Sequence, residues 1–110
     1  GPYSQGIAAG ETVYVSGQLP LDPATGTFPE GIAAQTAQSL KNIQAILAQQ
    51  GMTLANVVKT TVFLADINDF AEMNKVYGEY FEQPFPARSA VQVAQLPKSA
   101  PLEIECIAVK

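Results

Sequence analysis

The chain has 110 residues, enough for one domain that buries about two-thirds of the surface its unfolded form exposes. It is 47% apolar and 15% charged, which excludes general disorder, and it has no run of about 20 apolar residues that could cross a bilayer as a helix. Six basic against ten acidic residues leave a net charge of -4 and there is no histidine, so nucleic acid is a disfavoured partner and histidine relays, shuttles and metal sites are excluded.

The chain opens GPYSQG, without a methionine, so its start does not report on targeting. Tyr3, Ser4 and Gln5 lie in a Gly-flanked turn with neither helical nor strand pattern. Such a turn either lines a pocket or anchors the chain start through the Tyr3 ring. Residues 12 to 16 (TVYVS) are β-branched and aromatic and predict a strand, followed by a loop through GQLPLDPATG. Ser16 and Gly17 fall where the strand gives way to that loop. The early glycines lack the strand-loop-helix setting and the Lys-Ser/Thr ending of a phosphate loop.

Between Gly31 and Gly51, Ile32, Thr36, Leu40, Ile43 and Leu47 recur every three or four residues, which predicts an amphipathic helix with Gly51 as its stop. Residues 57 to 65 (VVKTTVFLA) read as a buried strand in the middle of a sheet. Asn68 or Asp69 is the predicted cap of a second helix carrying Phe70, Met73, Tyr77 and Phe81 on one face and ending near Gln83, before Pro84 and Pro86. Asn74 interrupts that helix beside its apolar face, either reaching toward a site or lying on the helix surface. ARSAVQV (87 to 93) and LEIECIAV (102 to 109) are the last predicted strands. Two helices and four to six strands imply a single α+β domain spanning residues 1 to 110, a mixed sheet with both helices packed on one face.

On the last strand, alternation sends Leu102, Ile104, Cys106 and Ala108 one way and Glu103, Glu105, Ile107 and Val109 the other. A face mixing aliphatic residues with carboxylates suits a subunit interface with a polar pocket, so a homo-oligomer is expected. The lone Cys106 cannot form an internal disulfide or a multi-cysteine zinc site, which fits a cytoplasmic protein. Arg88 is the only arginine and sits in a strand-forming run. It is a candidate clamp for a carboxylate, or else the partner of Glu103 or Glu105 in an ion pair. Glu103 is the candidate water-activating base if burial raises its pKa, and otherwise one of a pair of solvated carboxylates on an edge strand.

GPYSQ (1 to 5), VSGQLP (15 to 20), QTAQSLKNIQAIL (35 to 47), VVKTTVFLADINDF (57 to 70), PARSAV (86 to 91) and LPKSAPLEIECIAV (96 to 109) together closely resemble the RidA family, also called YjgF, along essentially the whole chain. The resemblance implies a chorismate-mutase-like fold assembled as a homotrimer, with sites between neighbouring subunits. It implies hydrolysis of reactive 2-imino acids released by pyridoxal-phosphate-dependent dehydratases, 2-iminobutanoate and 2-iminopropanoate, to 2-oxo acids and ammonia, with no cofactor. By the same resemblance Arg88 binds the substrate carboxylate, Glu103 positions or activates water, and Tyr3, Ser16, Gly17 and Asn74 line the pocket. Many members have cysteine where this chain has Ala90, which argues against a cysteine nucleophile. Family members have also been described as endoribonucleases or translation inhibitors, and a non-catalytic 2-oxo acid-binding or chaperone-like oligomer would use the same clefts.

Overall fold

The computed structural model describes residues 1–110. Five strands form one sheet in the order β1-β2-β5-β3-β4: β1 (Gly6–Ala9), β2 (Thr12–Gln18), β3 (Val57–Leu64), β4 (Ala87–Gln92) and β5 (Leu102–Val109). Two helices, α1 (Ile32–Ala48) and α2 (Phe70–Tyr80), pack together on one face. Three pairings are antiparallel; β3 and β4 run parallel, which requires the α2 crossover between them. No helix is long and apolar enough to cross a membrane.

The first helix follows its apolar period: Ile32, Thr36, Leu40, Ile43 and Leu47 are all buried. Gly51 takes φ 69°, a left-handed conformation that lets the Met52 amide return to the Leu47 carbonyl at 3.0 Å. Residues 6 to 9, which carry no clear strand pattern, become β1 by pairing with β2. The second helix starts as expected, with Asp69 in the N-cap position, but differs in its capping bond and at its end. Asp66 caps a short 3-10 turn, Ile67–Asp69, by accepting from the Asn68 amide, whereas Asp69 makes no capping bond. The helix stops at Tyr80, and Phe81 turns extended while its ring stays packed 4.6 Å from that of Tyr77.

The middle strand is β5; β3 is interior but second from the edge, and its burial alternates because its outer face is uncovered. On β5, Leu102, Ile104, Cys106 and Ala108 are buried under the helices, as the alternation requires. The opposite face has no covering layer. Cross-strand register lines up Ile7, Tyr14 and Ile107 there, and Val91, Phe63 and Glu103 form a second row. Ile7, Tyr14 and Val91 are 56, 48 and 44% exposed, so this face is an apolar surface without a partner in its own chain.

Candidate active site

The six candidate residues fall into two groups. Arg88 stands opposite Thr60 in the parallel β3–β4 ladder, and Thr60 is fully buried beneath the helices, so Arg88 leaves the sheet on the helix side. The β3–α2–β4 crossover places α2 above it. Arg88 Nη1 donates to Asn74 Oδ1 at 2.7 Å, and the guanidinium carbon lies 4.7 Å from the centre of the Tyr77 ring and 5.5 Å from that of Phe70. Asn74 is exposed on the surface of α2 and reaches Arg88 from there. The alternative, an ion pair of Arg88 with Glu103 or Glu105, does not form. Both carboxylates leave β5 on the other face, with β3 intervening, and Arg88 has an amide and two aromatic rings as partners instead.

Below Arg88 the Tyr77 and Thr60 hydroxyls share a hydrogen bond of 2.7 Å. Burial pushes the Tyr77 phenol above its ordinary pKa, against the lowering effects of the Thr60 bond and the nearby Arg88 charge, so the phenol stays neutral. Sequence alone marks Tyr77 only as a member of an apolar helix face. Its contact with Arg88 arises from pairing between strands distant in the chain, which no local pattern reports.

Tyr3, Ser16, Gly17 and Glu103 form the second group, around a cleft of about 720 Å³ to which Pro97 and Lys98 also contribute. The β2–β5 register slips between Val15 and Gln18, so Ser16 and Gly17 together face one residue of β5, a β-bulge. The Glu103 side chain folds into the space this creates: a Cβ at Gly17 would collide with its carboxylate. Ser16 acts mainly as a tether, donating from Oγ to the Ser4 carbonyl at 2.6 Å and from its amide to the Gln5 carbonyl at 2.8 Å. Gln18, buried in the bulged strand, adds a clasp from Nε2 to Gln5 Oε1 at 2.8 Å. These bonds hold the N-terminal segment so that Tyr3, 65% exposed, stands at the cleft mouth. The signal for Gln18 was present in the sequence, a polar residue at the end of a β-branched run, but its meaning depends on the bulge.

Burial raises the Glu103 pKa above the usual carboxylate range, and repulsion from Glu105 adds to it. A carboxylate with a raised pKa is a stronger proton acceptor than a solvated one. Glu103 and Glu105 are not on an edge strand, since β5 is the centre of the sheet. Ala90, two residues beyond Arg88, packs against the core and offers no nucleophile, and Cys106 is buried on the helix side.

The profile described as Endoribonuclease L-PSP matches residues 1–110, the whole chain. A bovine protein (Bos taurus) named 2-iminobutanoate/2-iminopropanoate deaminase is 54% identical over 111 residues, covering 100% of this chain and 81% of its own. The crystal structure of RidA from the Antarctic bacterium Psychrobacter sp. superposes with a TM-score of 0.96 at 48% identity, covering 100% of this chain and 89% of the other. That of E. coli TdcF with bound serine superposes with a TM-score of 0.95 at 46% identity and the same coverage. With the motifs, the five-stranded sheet and its two helices, and full-length similarity all in agreement, the chain belongs to the RidA family.

Proposed function

We propose that this protein is an enzyme, a 2-iminobutanoate/2-iminopropanoate deaminase that hydrolyses small 2-imino acids to 2-oxo acids and ammonia without a cofactor. The observation that carries the reading is the state of Arg88. It is the only guanidinium in the chain, ordered by Asn74 and two aromatic rings, with one of its five N–H donors committed to Asn74. An arginine fixed in this way, with donors to spare and no carboxylate from its own chain, is ready to take one from a ligand. The bovine relative's name supplies the substrate class, and the serine in the TdcF structure is likewise a small molecule with a carboxylate.

In this reading the substrate carboxylate pairs with Arg88, and Glu103 accepts a proton from the water that attacks the imine carbon. The C=N π bond opens as the C–O bond forms, giving a carbinolamine; Glu103 returns its proton to the nitrogen, the C–N bond breaks as ammonia leaves, and Glu103 takes the hydroxyl proton as the C=O bond of the 2-oxo acid forms. A protonated imine is already electrophilic, so placing one water beside it is the main task of the protein. Because Arg88 and Glu103 lie on opposite faces of one sheet, the complete site is built between two copies, in a chorismate-mutase-like homotrimer whose subunits meet through the uncovered face bearing Tyr14, Ile107 and Val91. Tyr3, Ser16 and Gly17 come from the Glu103 side and Asn74 from the Arg88 side. The profile's description also suggests RNA cleavage, but a net charge of -4 with one arginine and five lysines gives few phosphate contacts.

The test couples a threonine dehydratase to the protein and follows imine loss and ammonia release. Arg88→Ala is expected to lower kcat/KM at least about 100-fold, and Glu103→Ala to lower kcat by a similar factor, with thermal unfolding little changed. Full activity in either variant, or RNA cleavage abolished by Arg88→Ala, would overturn the assignment.

A further inference from the structure

We propose that Tyr77 is a positioning residue for Arg88, presenting its ring face as a seat that orders the guanidinium before the carboxylate arrives. The inference rests on Arg88 being the carboxylate clamp. Its starting point is a pair of buried hydroxyls. Thr60 is fully buried and Tyr77 is 5% exposed, and their hydroxyls bond to each other at 2.7 Å inside an apolar core. A Val–Phe pair would fill the same space without burying polar groups, so packing alone does not call for these hydroxyls. What the bond does is tie the outer end of the Tyr77 ring to β3, next to the strand that carries Arg88. The ring also packs against that of Phe81, with the two centroids 4.6 Å apart.

The two contacts to the guanidinium divide its geometry. Tyr77 takes its face at 4.7 Å, and Asn74 takes one in-plane donor at 2.7 Å. The other in-plane donors remain for a bidentate carboxylate. An arginine side chain is rich in rotamers, and a ligand that had to freeze it would bind more weakly. The seat removes that cost in advance. Because a carboxylate clamp grips ground state and transition state alike, loss of the seat should appear in KM and leave kcat nearly untouched.

The experiment compares Tyr77→Leu, which removes the ring, with Tyr77→Phe, which keeps it and removes only the tether, alongside Arg88→Ala. From the usual strength of cation–π contacts, Tyr77→Leu is expected to raise KM for the imine about tenfold with kcat within about twofold, and Tyr77→Phe to restore KM to within about threefold of wild type. Both variants can lose thermal stability, but a purely structural tyrosine would not produce this split or its rescue by phenylalanine. A second readout uses the single arginine, whose Nε–Hε group gives one NMR correlation. Ring current should place it upfield of free arginine in wild type and in Tyr77→Phe, and 2-oxobutanoate should shift it. A wild-type resonance at the free-arginine position, or Tyr77→Leu with unchanged KM, would overturn the seat, and the first of these holds whether or not the leucine variant folds. If Arg88→Ala retained the wild-type rate, the clamp itself would fall. If Arg88→Ala were inactive while Tyr77→Leu matched wild type, only the seat would.

Discussion

The two halves of the candidate site are built by opposite means. The Arg88 half is assembled from regular elements: a parallel strand pair, the crossover helix above it, and a buried hydroxyl pair beneath. The Glu103 half is assembled from irregular ones: a bulge in β2, an N-terminal segment tied down by Ser16 and Gln18, and a turn carrying Lys98. In the proposed reaction, rigid elements would suit a half that holds a charge in a fixed direction, and an irregular segment a half that makes room for a water and a substrate side chain. The sheet keeps the halves apart in one chain, and this separation yields the largest predicted effect.

If each site takes Arg88 from one copy and Glu103 from its neighbour, Arg88→Ala and Glu103→Ala are both inactive alone but complement each other when co-expressed. Random assembly in equal amounts leaves about a quarter of the sites with both residues intact, so imine hydrolysis should recover to roughly a quarter of the wild-type rate per site. A site contained in one chain would show no recovery.

The irregular half can be broken at its narrowest point. Gly17→Ala places a methyl group where the Glu103 carboxylate lies, without demanding a new backbone conformation. Displacement of a catalytic group by about 1 Å typically costs about 100-fold. We therefore expect kcat to fall by that order in steady-state assays while KM and the melting temperature change little. A variant with normal kcat would show that Glu103 does not act from this position.

A smaller effect concerns pH. Burial and then Glu105 raise the Glu103 pKa, and a base works only when ionised, so activity should fall as pH drops through that raised value. Glu105→Gln removes the repulsion, lowers the Glu103 pKa and extends the acidic limb of the kcat profile to lower pH. An unchanged or upward-moving limb would assign it to another group.

These contrasts also explain what could be read from the sequence. Helix α1 and strand β5 were legible because their signals are local: a period near 3.6 in one and strict alternation in the other. The candidate site residues rest on the resemblance, and Arg88 also on its isolation among small and apolar neighbours. Their division into two groups was not legible. It depends on Arg88 pairing with Thr60 and Glu103 with Phe63, contacts between strands whose order in the sheet departs from their order in the chain. The start of the second helix was legible, although the side-chain cap is made earlier, by Asp66 on the preceding 3-10 turn; its end was misjudged because Phe81 keeps its helical-face contact after the backbone has left the helix.

The smallest effect belongs to the residue lying between the halves. Cys106 stands opposite Thr60 on the central strand, on the helix side, and is buried. Burial, with a smaller contribution from Glu105, pushes its thiol up to about 12, so almost none is thiolate at neutral pH. It should resist iodoacetamide in the native protein and react only on unfolding. Cys106→Ala removes one buried sulfur, a loss of about 1 kcal/mol on the scale of small core truncations, and should leave kcat and KM at wild-type values. Rapid native alkylation that stopped turnover would mean that the core between the two halves opens during the reaction, and that the sheet separating Arg88 from Glu103 is not the fixed partition on which the two-copy site depends.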